Sequence, residues 1–207
     1  MLYKRYPALE KCREEIEKAV SMLIGCYENQ GKLLICGNGG SCADSDHIVG
    51  ELMKGFMLQR RPDRSFTDKL ISSGISEDEA NMMTDNLQGA LPAISLPAQS
   101  ALISAFSNDV EPEMVYAQMA LGYGNKGDAL LCLSTSGNSK NVVAAAKVGK
   151  ALGLATIAMT GERDSALSRI CDVTIQVPET ETYKVQELHL PVYHYICAKI
   201  EEYFFGE

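Results

Sequence analysis

Five short apolar runs, Leu33 to Cys36, Ala93 to Leu96, Ala129 to Ser134, Ala155 to Thr160 and Val173 to Val177, recur along the chain with segments of helical period between them. A run of this kind has no polar face to offer water, so it suits a strand covered on both sides. Parallel strands also need long crossovers, which the intervening helical segments supply. The expectation is an α/β fold: a parallel sheet sandwiched between layers of helices. With 207 residues, 46% of them hydrophobic, the chain can bury one sizeable core, so residues 1–207 are expected to form a single domain.

The flanking segments are helical in period. Leu9, Cys12, Ile16, Val20, Leu23, Ile24 and Tyr27 fall at three- and four-residue steps, with Glu14, Glu15, Glu17 and Lys18 between them, and the pattern ends near Asn29, Gln30 and Gly31. The last segment, about Glu181 to Phe205, repeats Val185, Leu188, Val192, Ile196 and Ile200, with Pro191 expected to kink it or cost a hydrogen bond. From Arg60 to Leu91 the chain is mostly polar and breaks the strand-helix alternation. Ser76 and Glu79 there form a capping-box pattern before Ala80, Met82, Met83 and Leu87. This stretch reads as an inserted helical lobe or lid, or equally as a surface insertion with no part in chemistry.

Composition narrows the partners. A formal net charge of −8, with no run of five basic residues, disfavours nucleic acid but leaves room for a small phosphorylated metabolite bound by one loop. The opening MLYKRYPALEKCREEIEKA carries charges where a signal peptide needs an apolar core, and no later run is long enough to span a membrane, so a cytoplasmic protein is expected. Seven cysteines, an odd number with no CxxC pair, read as reduced thiols rather than a disulfide frame or a thiolate zinc site.

Two loops follow expected strands, where open α/β sheets place their ligands. In Cys36-Gly37-Asn38-Gly39-Gly40-Ser41 the glycines allow a sharp turn and close approach of backbone N–H groups. The run is neither a dinucleotide fingerprint nor a P-loop, so no nucleotide cofactor is expected. The second loop, Ser134-Thr135-Ser136-Gly137-Asn138-Ser139, opens a helix of about Val142 to Leu152 and offers four hydroxyls beside helical N–H groups. One Ser or Asn would suffice for an ordinary helix cap, so the surplus favours a phosphate monoester. His47 and Glu51, four residues apart on the helix after the first loop, lie on one face about 6 Å apart. Such a pair is usually a surface hydrogen bond, but its place beside the glycine loop suits metal ligation or acid/base work. On the last helix Gln186 and His194 are about 80° apart around the axis and about 12 Å apart along it, while His189 points elsewhere. Sharing one metal sphere would need long side chains, a kink at Pro191, or ligands from two subunits.

As an ordered set, CGNGGS with His47 and Glu51, the strand from Pro92, Ser107-Asn108-Asp109, STSGNS with Asn141, and Val185-Gln186 through His189 with His194 resemble the SIS-domain phosphoheptose isomerases. These enzymes interconvert sedoheptulose 7-phosphate and the corresponding aldose phosphate. The motifs span nearly all of the chain except residues 60–91, and together they are far more specific than any one alone. The resemblance implies a SIS fold, a three-layer sandwich around a five-stranded parallel sheet, assembled as a homotetramer with active sites at subunit boundaries. It implies a divalent metal, zinc, held by His47, Glu51, Gln186 and His194, with Glu51 and His194 as the acid/base pair. It assigns the sugar-phosphate contacts to Asn38, Gly39, Gly40, Ser41, Glu51, Asn108, Asp109, Ser134, Thr135, Ser136, Ser139 and Gln186. The pathway it implies is heptose synthesis for lipopolysaccharide precursors.

Two features depart from the family pattern: residues 60–91 replace a much shorter connection, and Tyr183 stands where an aspartate is common. Non-catalytic relatives that bind the replication initiator share the loops but lack the catalytic Glu and His, both of which stand here as Glu51 and His194. An isomerase for another ketose phosphate is the nearer alternative.

Overall fold

In the computed structural model, which describes residues 2–206, the five apolar runs form β1 (Leu33–Gly37), β2 (Ala93–Ser95), β3 (Ala129–Leu133), β4 (Ala155–Thr160) and β5 (Val173–Gln176). All are parallel, in the order β2-β1-β3-β4-β5. The helices are α1 (Leu2–Arg5), α2 (Arg13–Glu28), α3 (Gly40–Met53), α4 (Arg64–Ser72), α5 (Glu77–Asn86), α6 (Ser100–Asp109), α7 (Val115–Tyr123), α8 (Lys140–Ala151), α9 (Ala166–Ile170) and α10 (Thr182–Phe205).

The strands are apolar on both faces because both are covered. Leu33 and Ile35 of β1, with Leu131 and Leu133 of β3, pack under α2, α3 and α10. Their neighbours Leu34, Cys36, Leu130 and Cys132 point the other way, toward α7, α8 and α9. The period of two along each strand thus divides the core into two layers of contact, making the expected three-layer sandwich. Among the described residues no helix is long and apolar enough to cross a membrane, and the seven cysteines are free thiols.

Several local expectations shift. Pro7 starts a separate 3₁₀ turn (Pro7–Cys12), so the first long helix begins later than its apolar period suggests. The last helix keeps its expected span, Thr182–Phe205, and Pro191 costs it one backbone donor, which the packing of Val185, Val192, Tyr193, Ile196 and Ile200 on the core outweighs. Ser76 caps α5 through the Glu79 N–H at 3.4 Å, the forward half of the capping box.

The boundary of the polar insertion also moves. Arg60 and Leu91, its expected ends, are 1% and 5% exposed and belong to the body of the domain. Arg60 reaches the carbonyls of Leu52 and Glu51, and the Leu91 N–H donates to Leu52. Only α4 and α5 project, packed on each other through Ala80 and a Thr67–Thr84 hydroxyl pair at 2.9 Å.

Candidate active site

The strand order reverses direction between β1 and β3, since β1 connects outward to β2 while β3, β4 and β5 run the other way. Loops leaving such a switch point diverge and open a crevice. The register pairs Gly37 with Leu133, so the glycine loop and the Ser/Thr loop emerge level with each other. They are tied across the crevice by a reciprocal amide pair, Asn38 with Asn141, both bonds 2.9 Å long. Gly39, at φ 56°, turns the first loop into α3, and the Tyr116 hydroxyl donates to Gly37 O at 2.9 Å beneath it.

In the second loop the hydroxyls do not all converge. Ser134 is buried, with its Oγ 3.0 Å from Ser139 Oγ, whereas Ser136 is exposed and accepts from its own loop at Asn138 N. Ser139 sits at the N-cap of α8 yet makes no side-chain cap, which agrees with hydroxyls beyond what capping uses. Gly137, at φ 66°, lets the loop pass against Ser165, where a Cβ would meet Ser165 Cβ at 2.5 Å. Thr135 and Ser136 border a cleft of about 190 Å³ whose far wall includes Arg163 and Thr180, neither marked by any motif. Asn108 and Asp109 lie exposed at the end of α6 and bond to each other at 2.8 Å. No hydrogen bond among the described residues joins that pair to either loop.

The second cluster forms where α3 and α10 run side by side. His47 Nε2 stands 3.1 Å from Glu51 Oε1, with the His47 side chain 43% and that of Glu51 14% exposed. The His194 ring meets the His47 ring edge-on, 5.0 Å between centroids, and Phe56 covers it at 5.5 Å. Burial lowers the His194 pKa, the neighbouring His47 lowers it further, and Glu51 opposes both, so the imidazole is neutral at neutral pH. Its Nε2 is buried with no hydrogen-bond partner. Gln186 does not join this group: its amide lies against Gly40, where an added Cβ would be 2.6 Å from Nε2. Because α3 and α10 are parallel here, Gln186 pairs with the start of α3 and His194 with its middle. His189, as its angle on the helix predicts, turns into the core, where its Nε2 lies 3.4 Å from Thr160 O and burial pulls its pKa down to about 4.

Sequence reasoning overlooked the residues that hold this cluster. Tyr193 OH stands 3.0 Å from His47 Nδ1 and donates to Asp44 Oδ1 at 3.2 Å. Burial raises the Asp44 pKa, opposed by the Tyr193 hydrogen bond and by His47. Burial and Asp44 raise the Tyr193 pKa, keeping the phenol protonated. Glu201, 1% exposed, accepts from Phe56 N, Met57 N and Leu58 N and from Arg60 Nε, which fixes the segment carrying Phe56. A lone tyrosine, aspartate or glutamate in an amphipathic helix gives no spacing signal that could have singled it out.

The likeness to known proteins runs the length of this arrangement. The SIS domain model matches residues 5–79 and 83–161. A phosphoheptose isomerase of Helicobacter pylori (strain P12) is 34% identical over 197 residues, covering 95% of this chain and 88% of its own. Two solved structures superpose on it: a phosphoheptose isomerase from Neisseria gonorrhoeae (TM-score 0.76, 27% identity, 96% of this chain and 91% of that one) and one from Francisella tularensis (0.74, 26%, 96% and 90%). The chain carries the SIS fold and belongs to the phosphoheptose isomerase family of SIS-domain proteins.

Proposed function

We propose that this chain is a cytoplasmic aldose–ketose isomerase that converts sedoheptulose 7-phosphate to the heptose 7-phosphate used in lipopolysaccharide precursor synthesis. The single observation that carries the reading is the meeting of Glu51, His47 and His194 on adjoining faces of α3 and α10, in a chain of this family. The Ser/Thr loop and the start of α8 take the phosphate, with Ser134, Thr135, Ser136 and Ser139 as hydroxyl donors. Asn38, Gly39, Gly40, Ser41, Asn108, Asp109 and Gln186 contact the sugar.

Isomerisation moves a proton from C1 of the ketose to C2 through an enediol, while the two oxygens exchange one. Glu51 takes the proton from C1 and returns it to C2. His194 is neutral before the reaction, since burial lowers its pKa, so it first accepts the proton of the C1 hydroxyl and then delivers it to O2.

Two imidazole nitrogens and a carboxylate make a donor set suited in kind to a divalent ion, and the partnerless His194 Nε2 is a nitrogen free to take one. Among the described residues no three His, Cys, Asp or Glu side chains yet stand around one point, and Gln186 is about 12 Å along the helix from His194. A zinc ion, when bound, would be held by His47 and Glu51 with Gln186 supplied by a second copy, and His194, which has one bare nitrogen when neutral, would join them only when that nitrogen is not taking the substrate proton. When bound, the ion would polarise the carbonyl oxygen as a Lewis acid.

A homotetramer is supported by two surfaces. An open groove of about 790 Å³ beside His194 is lined by Phe56, Met57, Leu190 and Tyr6, with Met57 71% exposed. Helix α6 carries Ala101, Leu102, Ile103, Ala105 and Phe106 yet buries none of its residues. The test is Glu51→Gln: loss of at least about 10²-fold in turnover, with sugar-phosphate binding retained, is the expected result. Unchanged isomerisation by that variant refutes the assignment. Six- and five-carbon ketose phosphates run in the same assay decide between a heptulose and a shorter substrate.

A further inference from the structure

The polar insertion rejoins the body of the domain through residues 88–91, and this return lies against the turn that leads from α3 to Arg60. The Gly55 N–H donates to Gln88 Oε1 at 2.6 Å, the Gly89 N–H to Arg60 O at 2.6 Å and the Leu91 N–H to Leu52 O at 3.0 Å. The turn has little hold of its own. After α3 ends at Met53, the N–H groups of Gly55, Phe56, Met57 and Leu58 find no backbone acceptor among the described residues. Glu201 on α10 takes three of the four, and Gln88 takes the fourth. We propose that Gln88 is a positioning residue: its hydrogen bond to Gly55 lets the insertion set the turn that lays Phe56 over His194, and so gives a segment outside the shared motifs a part in turnover.

The contact is built for an acceptor at close range. A Cβ on Gly55 would meet Leu58 O at 2.5 Å and Gln88 Oε1 at 3.1 Å, so the turn closes on itself, and against the Gln88 amide, only around a glycine. Gln88 Nε2 has no hydrogen-bond partner among the described residues, so the carbonyl half of the amide is the half in use. The turn in its turn carries what lies on the cluster. Phe56 stands 5.5 Å from His194 between ring centroids, and Arg60, at the far end, donates to the Glu51 carbonyl at 2.9 Å. Releasing Gly55 therefore loosens the residue next to Phe56, whose own N–H is held only from the α10 side. The Ser/Thr loop makes no hydrogen bond to residues 54–60 or 88–91 among the described residues, so losing Gln88 acts on turnover rather than on phosphate capture. This kinetic consequence rests on the isomerase reading above; the hold on the turn does not.

The experiment compares Gln88→Ala and Gln88→Met, which lack the acceptor, with Gln88→Glu, which keeps it, in the full chain with sedoheptulose 7-phosphate. The first two are expected to lose about 10-fold in kcat with KM held within about twofold, and Gln88→Glu to keep the wild-type kcat. Gln88 is exposed, so Tm should move by no more than about 4 °C, as for one hydrogen bond. Amide hydrogen exchange should quicken at Gly55 and Phe56 while the core strands keep their protection. In the double variant of Gln88→Ala with Phe56→Ala, the kcat loss should equal that of Phe56→Ala alone, because Gln88 acts through that ring. A wild-type kcat in Gln88→Ala and Gln88→Met, a Gln88→Glu no better than Gln88→Ala, or losses that multiply in the double variant overturns the proposal. So does unchanged exchange at Gly55 and Phe56, which is read without substrate. A wild type that turns over no ketose phosphate counts against the proposed function, and the exchange rates still decide whether Gln88 holds the turn.

Discussion

Replacing Arg60 with alanine strands a buried charge, and the cost can be worked from the contacts. The Arg60 side chain is 0% and that of Glu201 1% exposed, and they meet at 2.7 Å. The other two guanidinium nitrogens reach Leu52 O at 2.6 Å and Glu51 O at 2.9 Å, closing the end of α3 just where Glu51 sits. Removing one member of such a pair costs about 3–5 kcal/mol, because the partner stays charged and buried. At roughly 2–4 °C per kcal/mol for a chain of this size, Arg60→Ala should lower Tm by about 6–20 °C. The double variant Arg60→Met with Glu201→Leu removes the stranded charge but leaves the Phe56, Met57 and Leu58 N–H groups without their acceptor, so it should recover only part of the loss. Burial pushes the Glu201 carboxyl up, and the hydrogen bonds from Phe56, Met57 and Arg60 outweigh it, so its pKa lies below the usual carboxylate range. The pair's contribution is therefore present above the unfolded carboxylate pKa and lost as pH falls through the folded one. Thermal and urea unfolding at fixed protein concentration measure all of this. An Arg60→Ala variant melting within about 2 °C of wild type, against the roughly 6 °C minimum expected, would show that the pair does not anchor the fold.

Further outcomes follow from single residues. His189 stays neutral down to about pH 4 when folded but protonates near 6.5 when unfolded, so the unfolded chain binds the extra proton between those values. Stability should fall by up to about 3 kcal/mol on acidification through that window, and His189→Gln, compared by urea unfolding, should flatten the slope; parallel slopes would sink the idea. Gly137→Ala must hold φ 66° with its Cβ against Ser165, and a loss of about 2–4 kcal/mol is expected, checked by the same unfolding curves. Gly40→Ala meets only the flexible end of Gln186, so Tm should hold while KM for the sugar phosphate rises; a stability loss without a KM change would contradict the placement of Gln186. Leu102→Asp, on the unburied face of α6, should reduce the mass seen by light scattering, and an unchanged oligomer would exclude that face from the assembly.

The sheet was legible because its signal is local and redundant. Each of the five runs is apolar on both faces, and the ends of the strands agree with the sequence pattern to within about two residues. The insertion was less legible because polarity marks exposure, not attachment. Arg60 reads as one more surface charge in a polar stretch, yet it is the most deeply buried large side chain of the segment, since its partner Glu201 lies at the far end of the chain. An ion pair between residues 141 positions apart has no periodicity to betray it. The last helix was legible despite Pro191: its apolar stripe marks Glu181 to Phe205, and the structure runs Thr182–Phe205 with the proline inside it at the cost of one backbone donor.

The site divides along the same line. Residues that owe their place to one element, the glycine loop, the Ser/Thr loop and the His47–Glu51 step on α3, could be read from spacing. Those that owe it to the register between two helices could not. Angle and rise on α10 allowed Gln186 and His194 to share a face but said nothing about which residues of α3 would meet them. Parallel packing decides it: Gln186 falls beside Gly40 and His194 beside His47, a separation the helix cannot close by itself. The same register brings Tyr193 over Asp44 and His47, one position before His194 and on a different face. The helix that sets His194 against His47 therefore also presents, about 100° away, the Tyr193 hydroxyl that meets His47. Changing the register by one residue would separate both at once, which is why the packing between α3 and α10, rather than any single side chain, sets the geometry of the cluster.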